Sequence, residues 1–360
     1  MNSANAAILA RSPYKVSLAG EHAVGYGGSS IVAAARTGLR LALRDAEGDH
    51  GWFRCGQRRE RWTSAGAAAF RRLVDDAFRT HGADAWRTWA EDYFAPLRYL
   101  TGALAGHRNR PFDISTGGTP WAGGGLGTSS GIAAALAAAL DARFGRARNA
   151  VQYTRLIRQS DRLRHGGRPS GVDGAVVVRG GVLRFRSGRC RLLPAPAAHV
   201  LLIDSGVSRD ANRVIAWFAT RGARQIDTYV KHMEEVVGGV TESLTTGDLP
   251  GLFRALEAGG RLMRQFGLGC PAGEDLFGEL RRRGARAVKL IGAGCGGVAV
   301  AFFAGPIPGQ LQADLRSRGI RNLATVLGAD GCVVECSPPL GGLYESQSLH
   351  QFQDQAQRRP

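Results

Sequence analysis

The spacing of apolar and polar positions changes along this chain, and each change marks an element. Tyr14–Gly20 (YKVSLAG) alternates with a period of two and runs into GEHAVGYGG, residues 20–28, which predicts a strand followed by a glycine-rich turn. SIVAAA at 30–35 and LRLALR at 39–44 predict two further strands. Residues 65–105 carry helical spacing and predict two helices broken near His81–Gly82. PFDISTGGTP, 111–120, predicts a strand ending in a turn. Helices are then predicted from Thr128 to Phe144 and from Val151 to Arg164, and GAVVVRGGVLRF, 174–185, reads as a hairpin around Gly180–Gly181. After LLPAPAA, the strand HVLLIDSG at 199–206 opens a second half. That half holds two or three helices across 209–283, a strand–loop–strand across 287–305, and CVVEC at 332–336 to close. The elements predict an α+β fold of two domains, residues 1–190 and 191–336, with a polar, Gln-rich tail over 337–360.

Composition sharpens this picture in three places. At 360 residues the chain is long for a single core, and 44% hydrophobic content suits a globular protein. No apolar run is long enough for a membrane span, and the N-terminus lacks a basic region ahead of its short apolar patch. Six scattered cysteines (Cys55, Cys190, Cys270, Cys295, Cys332, Cys336) form no CxxC pair and read as reduced thiols, so the expected compartment is the cytoplasm and no membrane partner is expected.

The net charge of +17 raises the question of nucleic acid, and the residue types answer it. Of 47 basic residues only Lys15, Lys231 and Lys289 are lysine. Arginine is spread along the whole chain rather than gathered with aromatics into a patch, so no nucleic-acid partner is expected. Scarcity makes lysine informative: Lys15 and Lys289 both stand just ahead of glycine-rich turns.

One such glycine-rich segment, PWAGGGLGTSSG at 120–131, runs straight into the Ala/Leu helix. A helix N-terminus carries unpaired N–H groups and partial positive charge, and glycines let backbone amides approach an anion closely. The segment is thus a physically sensible phosphate cradle, although it is neither a GxxxxGK[ST] loop nor a dinucleotide-binding GxGxxG. A tight turn with a serine cap is the alternative reading.

Three separated motifs decide between them. SPYKVSLAGEHAVGYGG (12–28), the central PWAGGGLGTSSG, and AVKLIGAGCGGVAVAFF (287–303), in this order, resemble the GHMP kinase superfamily from Arg11 to about Glu335. Within it, GEHAV, HGGRPSGVDGAVVVRGG (165–181) and LLIDSGVSRDANRVI look like the mevalonate kinases. GLGTSSGIAAAL is nearer to the loop of fucose- and heptose-type sugar kinases. The resemblance implies a two-domain GHMP kinase fold, an N-terminal ribosomal-protein-S5-like α/β domain and a C-terminal ferredoxin-like α+β domain. It also implies ATP and Mg2+ as cofactors, a small-molecule acceptor as partner, and a homodimer as a compatible assembly.

Carried over residue by residue, the resemblance makes Asp173 the carboxylate that takes or orients the acceptor hydroxyl's proton. Lys15 would lower that hydroxyl's pKa and steady the developing charge. Gly123, Gly124, Gly125, Leu126, Gly127, Thr128, Ser129 and Ser130 would hold the phosphates, and Ser129 and Asp161 the magnesium. Glu21, His22 and Arg168 would face the acceptor, and Gly292, Gly294 and Gly296 would shape the site from the second domain. Three positions depart from the family's pattern: Tyr14 replaces a glycine, Cys295 interrupts a glycine run, and Arg168 replaces a small polar residue. Tyr14 and Arg168 are expected to reshape the acceptor pocket. Without the flanking motifs, Asp173 reads rather as a turn cap, and the alternatives for the others are Asp161 as a partner for Arg162 and Arg164, His22 as a turn histidine and Cys295 as an apolar filler. Three functions stay open: a mevalonate-type kinase, a kinase of a sugar or sugar phosphate, and an ATP-binding sensor without catalysis.

Overall fold

A computed structural model of the chain describes residues 7–106, 110–118, 124–166, 169–208 and 210–335. It opens with β1 (Ile8–Ala19) and β2 (Ser30–Asp45), followed by the hairpin β3 (Gly51–Cys55) and β4 (Arg58–Trp62). Then come α1 (Ser64–His81), a 3-10 turn at Gly82–Trp89, α2 (Ala95–Leu104), β5 (Phe112–Gly117), α3 (Thr128–Arg143), α4 (Ala150–Arg164) and α5 (Val172–Arg179). The hairpin β6 (Val182–Arg186) and β7 (Arg189–Leu193) leads to β8 (His199–Asp204), α6 (Ala211–Ala219), α7 (Ala223–Thr246), α8 (Leu249–Gln265) and α9 (Glu274–Arg282). β9 (Ala287–Leu290), β10 (Val298–Phe303), α10 (Gly309–Ser317), β11 (Asn322–Thr325) and β12 (Val333–Glu335) complete the described residues. No helix among the described residues is long and apolar enough to cross a membrane.

Two sheets organise these elements. The first runs β12-β1-β2-β5-β3-β4, with β6 paired to β2 and β7 to β6. The second runs β11-β8-β10-β9, antiparallel throughout, which is the 4-1-3-2 order of a ferredoxin-like domain. β8 is buried on both faces. Val200 and Leu202 enter the main core while Leu201 and Ile203 face a second cluster, as a period of two requires. The sheets do not divide at 190/191: β7 spans that point, and β12 returns to the first sheet, with Leu9 opposite Glu335.

Three expectations need correction. The segments 30–35 and 39–44 belong to one 16-residue strand, β2, because a bulge opposite Tyr14 absorbs residues 35–37 without ending it. The expected hairpin at 174–185 is instead α5 followed by β6. The Val176–Val178 run favours a strand locally, but α3, α4, β1 and β2 all pack on this segment, and the enclosed apolar run is satisfied as a buried helix. Tyr14 does not reach a pocket: it is 2% exposed within the main core, and burial pushes its hydroxyl pKa up to about 12.

The segment that positions the site is α3. Alanine is the best helix former, and every residue from Ser130 to Asp141 is buried. Small side chains let α2, α4, α5, β1 and β2 all approach it. A helix apolar on all sides belongs in the core, so its N-terminus is fixed in place.

Candidate active site

β1 delivers Lys15 to the start of α3. The Lys15 backbone N–H donates to Leu126 O at 2.8 Å, so strand and glycine loop are stitched together at this residue. Its side chain is 8% exposed, and Nζ lies 3.1 Å from Asp173 Oδ1 and 3.3 Å from Ser17 Oγ. Asp173 stands in the first turn of α5, where the helix dipole favours an anion. Gly127 closes the triangle. It caps α3 with φ +66°, and a Cβ there would stand 3.0 Å from Lys15 Cβ and 3.8 Å from Asp173 Cβ. A close approach and a left-handed backbone at one position call for glycine.

Asp161 reaches the same place from the last turn of α4. It is 2% exposed, and the Ser130 hydroxyl lies 2.9 Å from both carboxylate oxygens. Burial first, and then the charge of Asp173, push its pKa up to about 8. The hydroxyl bonded to Asp161 is that of Ser130, and Ser129, the other expected magnesium ligand, is half-buried one position earlier. His165 ends α4 beside these groups. Burial lowers its pKa against the opposing pull of Asp173, and Asn212 of α6 hydrogen-bonds its side chain.

The second half meets the first through the turn after β1. Glu21 is not turned toward an open acceptor space: it is buried in an ion pair with Lys289 of β9, whose Nζ also donates to Leu18 O at 3.0 Å. His22 sits at the centre of a γ-turn with φ 60° and ψ −46°, in which Ala23 N–H donates to Glu21 O at 2.7 Å. The His22 Nε2 is 2.9 Å from Ala293 O, and its ring lies 4.6 Å from that of Phe218. His22 therefore braces the second glycine loop rather than standing free.

That loop needs its glycines. At Gly294 (φ +81°) a Cβ would stand 2.5 Å from Leu268 O, and at Gly296 (φ +131°) 2.6 Å from Val207 O. Gly292 has φ +73°, and Cys295 keeps φ 59° between its neighbours. Val298 N–H donates to Gly124 O at 3.3 Å, so the two glycine loops touch directly. Gly124, Gly125, Leu126 and Thr128 take their places at the entry to α3; Leu126 contributes core packing as well as its carbonyl. Gly123 and Arg168 lie outside the described residues. Sequence reading missed Ser17, Asn212 and the grip of Lys289. Only Lys289 carried a signal, its rarity.

The fold and motifs agree with known proteins. The model of the GHMP kinases N terminal domain matches residues 96–181, and that of the GHMP kinases C terminal domain matches 240–321. A mevalonate kinase of Aeropyrum pernix is 29% identical over 82% of this chain and 89% of its own length. Another, of Archaeoglobus fulgidus, is 25% identical over 87% of this chain and 99% of its own. The crystal structure of Methanococcus jannaschii mevalonate kinase shares the fold with a TM-score of 0.72 at 15% identity, covering 89% of this chain and 98% of that one. The chain thus matches the GHMP kinase N- and C-terminal domain models in order, on the two-domain fold of the GHMP kinases.

Proposed function

We propose that this chain is an ATP- and magnesium-dependent kinase that phosphorylates the hydroxyl of mevalonate or a closely similar hydroxy acid. The observation that carries the reading is the Lys15–Asp173 pair, 3.1 Å apart and set against the bare Cα of Gly127 where the glycine loop enters α3. Asp173 accepts or orients the proton of the acceptor hydroxyl, and Lys15 stabilises the oxygen as charge develops. A protein that only sensed ATP would have no use for this pair. The mevalonate kinases similar to it over most of its length favour a hydroxy acid over a sugar.

The residues fit a magnesium ion. Asp161 and Asp173 bring two carboxylates together with the Ser130 hydroxyl, in a place that without a cation drives Asp161 toward its neutral acid. A divalent cation relieves that strain. No group of three or more His, Cys, Asp or Glu side chains among the described residues could hold a metal alone, so phosphate oxygens and water are its remaining ligands. Bound there with ATP, magnesium would neutralise phosphate charge. Ser129 and the amides of residues 124–130 would receive the phosphates.

The test is ADP release with magnesium and ATP against mevalonate, phosphomevalonate, homoserine, galactose, fucose and heptose phosphates. Turnover with mevalonate alone supports the reading. Turnover only with a sugar moves the acceptor and keeps the chemistry, and ATP binding without any turnover overturns it.

A further inference from the structure

Lys289 is 1% exposed, and every partner of its ammonium belongs to the other half of the molecule. Its three N–H groups go to the Glu21 carboxylate, to Leu18 O at 3.0 Å and to Ser17 O at 3.5 Å. Ser17 also receives Lys15 Nζ on its hydroxyl, at 3.3 Å. One residue thus separates the two buried lysines: Ser17 meets Lys15 through its side chain and Lys289 through its carbonyl. On the other side, Lys289 stands three positions before Gly292, where the second glycine loop begins. Tyr229 adds a 2.9 Å hydrogen bond to Glu21 O, the same carbonyl that closes the γ-turn at His22.

We propose that Lys289 and Glu21 are positioning residues that hold Lys15 in register with the second glycine loop, so that acceptor activation and phosphate placement are set by one buried grip. The inference rests on the kinase reading above for its kinetic consequence, but its geometry stands apart from the identity of the acceptor. A compact ammonium has three donors spread tetrahedrally, as two stacked carbonyls and a carboxylate require, whereas a guanidinium presents a flat fork. That requirement explains why a chain with only three lysines among 47 basic residues keeps one here. The γ-turn at His22 is a strained conformation, and it persists where surrounding contacts over-determine it.

The experiment compares the wild-type chain with Lys289→Arg and with the neutral pair Glu21→Gln/Lys289→Met. Removing Lys289 alone would strand a buried carboxylate, whereas neutralising both partners avoids that penalty. Two readouts are taken: steady-state kinetics, and the side-chain signals of isotope-labelled lysine, which in this chain number three in the wild type. In both variants kcat should fall by about tenfold to a hundredfold with KM for ATP little changed, and the Lys15 signal should move. Lys289→Arg keeps the charge and so tests the grip even where the neutral pair does not fold. An unmoved Lys15 signal in a folded variant overturns the proposal, as does wild-type kcat in Lys289→Arg. If the wild-type chain phosphorylates no acceptor, the kinase reading fails separately, and the Lys15 signal alone still decides the positioning role.

Discussion

Gly127 and Lys15 touch where the central helix meets the first strand: a Cβ on Gly127 would stand 3.0 Å from Lys15 Cβ and 3.7 Å from its Cε. The missing side chain leaves Lys15 a straight path to Asp173, and the φ of +66° turns the glycine loop into α3. Two demands meet at one Cα, a backbone demand and a contact demand.

They can be separated by comparing Gly127→Ala with Gly145→Ala. Gly145 has φ +61° and open space around its Cα, so alanine there carries the backbone penalty alone. Each variant should lose about 1–2 kcal/mol of stability for the left-handed residue. Only Gly127→Ala should also lose activity, because Lys15 must move by a few tenths of an ångström or more. Thermal melts and turnover on the same samples check this; equal activity in the two variants would remove the contact argument.

Lys15→Met and Asp173→Asn should each lower turnover by about 10²–10⁴-fold. The double variant should be little worse than the poorer single one, because the two groups act as a unit. Stability should respond unequally. Asp173→Asn leaves an almost buried ammonium with the Ser17 hydroxyl as its remaining partner, whereas Lys15→Met frees a carboxylate that is 30% exposed and supported by the start of α5. A lower melting temperature for Lys15→Met than for Asp173→Asn would contradict this account of the pair.

The same contrast explains what was legible in the sequence. Lys15, Asp173 and the central loop stand out because glycine spacing and a rare lysine are local signals. Three strands of the second sheet, β8, β9 and β10, were legible too, as short apolar runs bounded by turns. β11 was not read as a strand, and CVVEC, expected to close the second half, pairs with β1 in the first sheet. α5 was not legible: three consecutive valines favour a strand, and only enclosure by α3, α4, β1 and β2 makes them helical. The ion pair of Glu21 was not legible for a similar reason. Its partner is 268 positions away, and nothing in GEHAV announces that a lysine from β9 will claim the carboxylate. The Ser130–Asp161 hydrogen bond was not legible either, because the rotation of the first turn of α3 decides which hydroxyl points inward, and that rotation is set by packing.

Asp161 gives the chain a pH signature. Its pKa in the folded protein is pushed up to about 8 from 3.8, chiefly by burial and then by Asp173. A folded-state pKa above the unfolded one means the folded state holds the proton more tightly. The stabilisation is complete below about 4 and is lost as pH rises through about 8. Without magnesium and nucleotide, wild type and Asp161→Asn should therefore melt alike near pH 4, and wild type should fall progressively behind as pH rises toward 8. Magnesium with a non-hydrolysable ATP analogue should narrow the gap for wild type only. Parallel melting curves across this range would mean that the carboxylate is not strained by its site.

His22 distinguishes the two halves of the site kinetically. Its Nε2 is 2.9 Å from Ala293 O within the second glycine loop, and its ring packs on Phe218 of α6 at 4.6 Å. An acceptor-facing histidine would act on acceptor affinity; one that braces the loop acts on the nucleotide. His22→Asn removes the ring contact and shortens the reach to Ala293, while asparagine accepts a positive φ more readily than most residues. The expected result is a severalfold rise in KM for ATP with KM for the acceptor nearly unchanged, because the loop loses its support while Lys15 and Asp173 keep theirs. The reverse pattern, a raised acceptor KM with normal ATP kinetics, would return His22 to the acceptor side and leave the loop to its other contacts, Gly124, Val207 and Leu268 among them.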